Sequence, residues 1–341
     1  MRLLNTDNLE VEGFSDDEVP QYAILSHTWG EEEVTLQDME GSRKAKKKGY
    51  EKVRRCCSLA KANGFAYVWI DTCCIDKTSS AELSEAINSM YRWYQEAKVC
   101  YAYLADVPSK SKFRDSRWFT RGWTLQELIS PSTVIFFDEE WKQLGTKADL
   151  QQDIFDCTGI PLSILLDDDN LEKFSVAQRM SWAAKRKTSR IEDRAYCLLG
   201  IFGINMPLIY GERETAFIRL QEEIMRISDD HSLFAWRSPD NRGGLLATSP
   251  VAFIGSGNII QFNPSDSFNS PLTVSSRVIY LELRFIGMGP RGLGLAILHC
   301  KERDEKDKPI AIYVRDLFLT MEQFERVQSE EFELFDPRIF K

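Results

Sequence analysis

Phe65 to Asp71 reads FAYVWID: six apolar or aromatic residues with no charge, then an acid. A strand with one wet face alternates apolar and polar side chains. A continuous run like this one belongs to a strand covered on both faces. Its flanks supply the cover. Lys46 to Asn63 has a helical pattern that stops at Gly64. Beyond the run, Ser79-x-x-Glu82 is a capping-box pattern. The helix it opens places Leu83, Ile87, Met90, Tyr94 and Ala97 on one face. A doubly covered strand between two helices restricts the fold to an α/β sheet with parallel neighbours.

Three further runs fit that frame: Tyr22–Trp29 (YAILSHTW), Val99–Leu104 (VCYAYL) and Thr133–Phe137 (TVIFF). Between the last two lies SRWFTRGWTLQELIS, Ser116 to Ser130. Leu125, Leu128 and Ile129 stand at helical spacing, so Trp123 to Ser130 reads as a short helix with Glu127 off its apolar stripe. In parallel sheets ligands bind beyond the carboxyl ends of the strands. Trp29-Gly30, Asp71 and the Glu127 helix are therefore expected near one another. Glu127 is either a solvated surface charge or a catalytic acid in an aromatic-walled pocket.

A helical section follows. Ser189-x-x-Glu192 is a second capping-box pattern, with Ile191, Ala195, Leu198, Leu199 and Phe202 as an apolar face. Thr215 to Ser228 turns Phe217, Leu220, Ile224 and Ile227 inward. After Asp230 the text changes. PDNRGG, Pro239 to Gly244, signals a turn. Short strand-like runs follow: GLLATSP, VAFIGSG, RVIYLELRF, LGLAILHC and PIAIYVRD. Two domains are expected: 1–237, a parallel sheet with a helical extension, and 238–341, a smaller β-rich unit.

The net charge of −9 argues against nucleic acid as a partner. The one basic run, SRKAKKKGYEKVRR from Ser42 to Arg55, reads as a solvated helix face or a patch for phosphates or an acidic partner. Eight cysteines sit largely in apolar runs without a C-x-x-C, the usage of buried free thiols in a reducing compartment. The three histidines, His27, His231 and His299, have no zinc-site spacing, so no metal is expected. No membrane span and no signal peptide is read, and the expected location is the cytoplasm.

GMGPRG, Gly287 to Gly292, matches a dinucleotide fingerprint in letters alone. Pro290 interrupts it and a strand pattern follows, so it reads as a hairpin turn. Asp71 and Asp76 in IDTCCIDK are either paired carboxylates or a strand-end cap followed by a turn. Cys73 and Cys74 read as core thiols, and Glu82 and Glu85 with Arg92 as a loose surface group. His27 reads as a hydrogen-bonded structural histidine. Trp29, Trp118, Phe119 and Trp123 are core residues or a flat wall for a planar ligand.

Six ordered blocks, YAILSHTWG, WIDTCCIDK, AINSMYRWYQEAKVCYAYL, RWFTRGWTLQEL, RMSWAAKRKTSRIEDRAYCLLGIFGINMPLIYGE and AFIRLQEEIM, closely resemble the fungal heterokaryon-incompatibility (HET) domain over about Tyr22 to Trp236. The remaining C-terminal part resembles the accessory region that often trails this domain. The resemblance implies a trigger of programmed cell death when unlike hyphae fuse. It also implies a distant kinship with TIR domains, which have a flavodoxin-like parallel sheet with helices on both faces, and some of which hydrolyse NAD. WTLQEL, Trp123 to Leu128, is similar to the W-C-x-x-E-L-like segment of TIR NADases. Glu127 falls on their catalytic glutamate and Trp123 on their tryptophan, while Thr124 replaces the cysteine. HTWGEEEV lacks the arginine common in plant TIR domains.

On that resemblance Glu127 is the expected catalytic residue. Ser26, His27, Trp29, Gly30, Asp71, Trp118, Arg121 and Trp123 are the expected substrate contacts. NAD is the substrate, with no resident cofactor. An active homo-oligomer and an incompatibility partner protein are further expectations. The chemistry needs little: nicotinamide is a good leaving group, so one carboxylate beside the ribose suffices to stabilise an oxocarbenium-like state. Arg117 or Arg121 would neutralise the pyrophosphate or orient Glu127. The rival expectation is a non-enzymatic module that signals by self-association, with Glu127 supporting an interface or pairing with Arg121.

Overall fold

A computed structural model describes residues 1–41, 46–167, 170–240, 242, 244–262, 272–275, 278–289 and 291–336. Residues 42–45 of the basic run, two positions of PDNRGG (241 and 243) and Pro290 of GMGPRG lie outside the described residues. The chain divides into two units, residues 1–169 with 205–208, and residues 170–204 with 209–341.

The first unit is built on a seven-stranded sheet. Its strands are β1 (Arg2–Asn5), β2 (Val11–Gly13), β3 (Tyr22–His27), β4 (Tyr67–Trp69), β5 (Val99–Tyr103), β6 (Val134–Phe137) and β7 (Gln143–Thr146), in the order β2-β1-β4-β3-β5-β6-β7. The four expected strands form the parallel centre, β4-β3-β5-β6. Antiparallel strands extend it at both edges. β1, β2 and β7 were not expected from the sequence. They are short edge strands, and the alternation signal is weak over three or four residues.

The helices are α1 (Leu36–Met39), α2 (Tyr50–Ala62), α3 (Ser80–Glu96), α4 (Thr124–Ile129), α5 (Gln151–Thr158) and α6 (Leu162–Leu165). From β3 the chain crosses through α2 to β4 on one side, then returns through α3 to β5 on the other. With right-handed crossovers, this reversal puts α2 and α3 on opposite faces of the sheet. The β5-to-β6 crossover continues in the same direction as the one before it. It brings α4 to the α3 face, where Ser130 Oγ, just past α4, donates to Tyr91 O at 2.6 Å.

Capping departs from expectation in one detail. Ser79 does accept Glu82 N, but the Glu82 carboxylate accepts Asp76 N at 2.8 Å and pairs with Arg2 instead of closing the box. Arg92 pairs with Asp16 rather than with Glu82 or Glu85. Gly49, at the start of α2, has a specific packing reason. A Cβ there would meet Glu32 O at 3.0 Å and Glu33 Cα at 3.1 Å.

In the second unit the helices are α7 (Val176–Ala183), α8 (Asp193–Tyr196), α9 (Leu199–Phe202) and α10 (Thr215–Ile227). The continuous helix expected after Ser189 is two short pieces. The Glu192 carboxylate accepts Gly211 N at 2.8 Å and Arg213 N at 3.1 Å, so it fastens a distant loop rather than a cap. α10 buries Ala216, Phe217, Leu220, Gln221, Ile224 and Met225, while Ile227, expected inward, is 64% exposed.

The strands of this unit are β8 (Ile259–Gln261), β9 (Thr273–Val274), β10 (Ile279–Tyr280), β11 (Arg284–Gly287), β12 (Leu293–Glu302), β13 (Pro309–Asp316), β14 (Phe324–Arg326) and β15 (Glu333–Leu334). LGLAILHC and PIAIYVRD form the antiparallel pair β12–β13. β11 and β12, on either side of GMGPRG, pair antiparallel, with Gly287 opposite Gly294; the turn expected at GMGPRG includes Pro290 and so lies partly outside the described residues. GLLATSP and VAFIGSG are not strands. Pro250–Phe253 and Ser256–Asn258 form 3-10 turns instead, with Pro250 at the first position, where proline has no amide to lose.

Lys147 fixes the end of α4. It is buried, and its ammonium donates to Pro131 O at 2.6 Å and Leu128 O at 3.5 Å. Lys147→Met removes the donor and leaves buried carbonyls unpaired. It is expected to destabilise the fold by ~1–3 kcal/mol in urea unfolding; no change in the midpoint would contradict this role.

Candidate active site

Successive side chains on a strand point to opposite faces. At the carboxyl end of β3 this places Ser26 toward α3 and α4, and His27 toward α2. Each then organises one half of a polar cluster.

On the α4 face, Ser26 Oγ donates to Glu127 Oε2, and Trp118 Nε1 donates to Ser26 Oγ at 2.8 Å. The Tyr94 hydroxyl on α3 donates to Leu25 O at 3.1 Å and stands close enough to Glu127 to act on it. Ser26 and Trp118 are fully enclosed, and Glu127 is 7% exposed. All six residues of α4 are buried, so of the two alternatives for Glu127 the solvated surface charge does not hold. Burial pushes the Glu127 carboxyl up to about 8. The bond from Ser26 works against that rise, the nearby Asp71 charge adds to it, and Arg121 and Tyr94 oppose it. Glu127 is therefore largely protonated at neutral pH and close to its titration point.

On the α2 face, Lys52 Nζ donates to His27 Nδ1 at 2.8 Å and to Glu33 Oε1 at 2.6 Å. A lysine ammonium can only donate, so Nδ1 accepts and the ring proton sits on Nε2. That nitrogen lies 3.0 Å from Asp71 Oδ1. The other Asp71 oxygen accepts Trp29 Nε1 at 2.8 Å and lies 3.7 Å from Lys77 Nζ. Burial opposes ionisation of Asp71, but the Lys77 charge and the donors His27 and Trp29 outweigh it and hold its carboxyl well below the usual range. Glu33 Oε1 also accepts Gly30 N at 2.6 Å, which pins the loop after β3.

The expected residues thus divide into two connected sets, Ser26–Trp118–Glu127 and His27–Asp71–Trp29, with Gly30 held beside the second. Arg121 is half-buried and near enough to act on Glu127. Trp123 is half-buried at the start of α4. Trp118 packs edge-to-face on Phe119 and Phe136 and holds Ser26, so in this conformation it positions Glu127 rather than presenting a surface. Asp76 accepts Thr78 N, Thr78 Oγ1 and Gln37 Nε2; it belongs to a turn and does not pair with Asp71.

Four further residues of the cluster, Lys52, Glu33, Lys77 and Tyr94, carry little signal in the sequence. Lys52 lies in the basic run, read as a solvated face, but its side chain is only 12% exposed. Its neighbour Val53 on the buried face of α2 was the available signal. Glu33 sat in an acidic loop, Lys77 followed a turn, and Tyr94 was counted as core. Among the described residues no three His, Cys, Asp or Glu side chains gather as a metal site. None of the eight cysteines is in a disulfide, and all but Cys157 are buried.

Residues 22–114 match the family described as heterokaryon incompatibility protein (HET), and residues 215–277 match a domain of unknown function (DUF8212). The vegetative incompatibility protein HET-E-1 of Podospora anserina is 41% identical over 336 residues. The chain carries a HET domain at residues 22–114. The alignment covers 90% of this chain but spans only 24% of that relative's length. No solved structure matches the chain. The HET match begins at the first residue of β3 and takes in Ser26, His27, Trp29, Lys52, Asp71, Lys77 and Tyr94. Glu127 lies beyond the HET match but within the chain that aligns with HET-E-1 as a whole.

The unfolded chain releases the Glu127 proton near 4.5, whereas the folded protein keeps it to about 8. Between those limits the folded state binds the extra proton, so stability falls as pH rises through the window and levels off above it. Glu127→Gln lacks this penalty. Its melting temperature is expected to exceed wild type at pH 8, by a few kcal/mol of stability, with the gap closing toward pH 4.5. A gap independent of pH would contradict the shifted titration.

Proposed function

We propose that this HET domain is an effector of heterokaryon incompatibility that executes cell death by cleaving the nicotinamide–ribose bond of NAD, with Glu127 as the catalytic residue. The observation that carries the reading is a nearly enclosed glutamate, poised to lose its proton near neutral pH, at the carboxyl edge of a parallel sheet where the strand order reverses. The central order β4-β3-β5-β6 is second-first-third-fourth along the chain. That order supports a flavodoxin-like, TIR-like sheet. The incompatibility role is supported by the likeness to HET-E-1.

The chain's own residues suit the chemistry. The pyridinium ring of NAD is a cation, and its entry beside Glu127 favours the carboxylate over the acid. The proton leaves on binding, and the anion then faces the positive charge that grows on the ribose as nicotinamide departs with the bonding pair. Water completes the reaction, giving ADP-ribose, nicotinamide and a proton. Ser26 holds the carboxylate in place throughout. Arg121 is the candidate for the pyrophosphate, in an active assembly that includes further copies of the chain.

Nicotinamide release, followed over a range of protein concentrations, tests this. Glu127→Gln is expected to lower kcat by about 10²–10³-fold. Wild-type kcat/KM should rise with pH to a plateau above about 8, while the rise in kcat falls at lower pH because the bound cation helps ionise Glu127. No release at any concentration, with cell death intact in Glu127→Gln, would favour a self-associating signalling module.

A further inference from the structure

Trp29 is half exposed although its indole is held in place. Its Nε1 donates to Asp71, and the Lys77 ammonium lies 3.7 Å from the ring centroid and 3.7 Å from Asp71 Oδ2. An aromatic face beside an ionised carboxylate is a receptor for a cation. Here the cation is supplied by the protein's own chain. Lys77 is carried on the Cys73–Ser79 loop, outside any helix or strand, and its side chain remains 30% exposed. It can therefore leave the ring without unravelling an element. Asp71 would keep the donors His27 and Trp29 when it left.

We infer that Lys77 is a place-holder in a site built for a flat organic cation, which displaces the ammonium from Trp29 and pairs with Asp71. This deepens, and rests on, the reading of NAD as substrate: it assigns recognition of the oxidised, cationic nicotinamide ring to Trp29 and Asp71, and makes Lys77 a selectivity residue. A neutral ring of the same shape stacks on the indole but recovers nothing from the carboxylate. It displaces the lysine poorly. Burial lowers the affinity of Lys77 for its proton, against the pull of Asp71, which is consistent with an ammonium held at some cost.

The test is calorimetric binding of 1-methylnicotinamide, a cation that carries no ribose to cleave, with neutral nicotinamide as the comparison. Lys77→Met should bind the cation about tenfold more tightly than wild type, the factor equivalent to about 1.4 kcal/mol of relieved competition. The gain for the neutral ring should be much smaller. In a Trp29→Leu background the gain for the cation should vanish, because no ring face is left to uncover. Lys77→Gln serves as the second variant if Lys77→Met does not fold. An unchanged affinity in the lysine variants overturns the inference. So does an equal gain with and without Trp29, which would mean that the lysine acts only as a distant charge. Nicotinamide release from NAD, measured in parallel, separates the two readings. Cleavage without the gain removes the place-holder and keeps the enzyme. The gain without cleavage keeps the cation site and removes NAD hydrolysis.

Discussion

The candidate site depends on one side chain being kept from water. Glu127 sits on a six-residue helix with no exposed face, and Ser26, held in turn by Trp118, reaches it from the central strand. A carboxylate in such a position loses its hydration and recovers only part of it from hydroxyl donors, so the proton stays on. A buried neutral acid with hydroxyl partners is tolerable in a core. A buried anion needs a positive neighbour. Ionising Glu127 in place is therefore favoured by added positive charge beside it, which the proposed substrate would bring.

A few residues away the opposite solution is found. Asp71 is only partly withdrawn from water, and with a lysine and two ring N–H donors it stays ionised. Two carboxyls near one sheet edge are thus driven in opposite directions by their surroundings. The Asp71 charge in turn makes Glu127 harder to ionise. Strand geometry produces the division. Ser26 and His27 are adjacent on β3, face opposite ways, and recruit α4 and α2 respectively. Crossovers to both sides of β3 place those helices on opposite faces.

Much of this was legible in the sequence because it follows from continuous patterns. FAYVWID, YAILSHTW, VCYAYL and TVIFF are long enough to mark doubly covered strands, and their alternation with helices fixes the parallel centre. The grouping of Trp29, Asp71 and Glu127 at one edge followed from that order. The unread parts rest on pairings distant in sequence. Lys52 looks like one more charge in a basic run, and only the fold shows that it meets His27 and Glu33. Glu82 and Glu192 sit at the right spacing for capping boxes, but Asp76, Arg2, Gly211 and Arg213 claim their carboxylates. Ile227 continues a helical stripe in the text and emerges into solvent at the end of α10. β1, β2 and β7 are too short to show a period.

The most direct test is a carbon-13 NMR titration of the Glu127 side-chain carboxyl, assigned by the loss of its signal in Glu127→Gln. The enclosed site predicts a midpoint near 8. A midpoint near the ordinary 4.5 would mean that water reaches Glu127 freely, and the account of the site as a desolvated, cation-seeking carboxyl would fail.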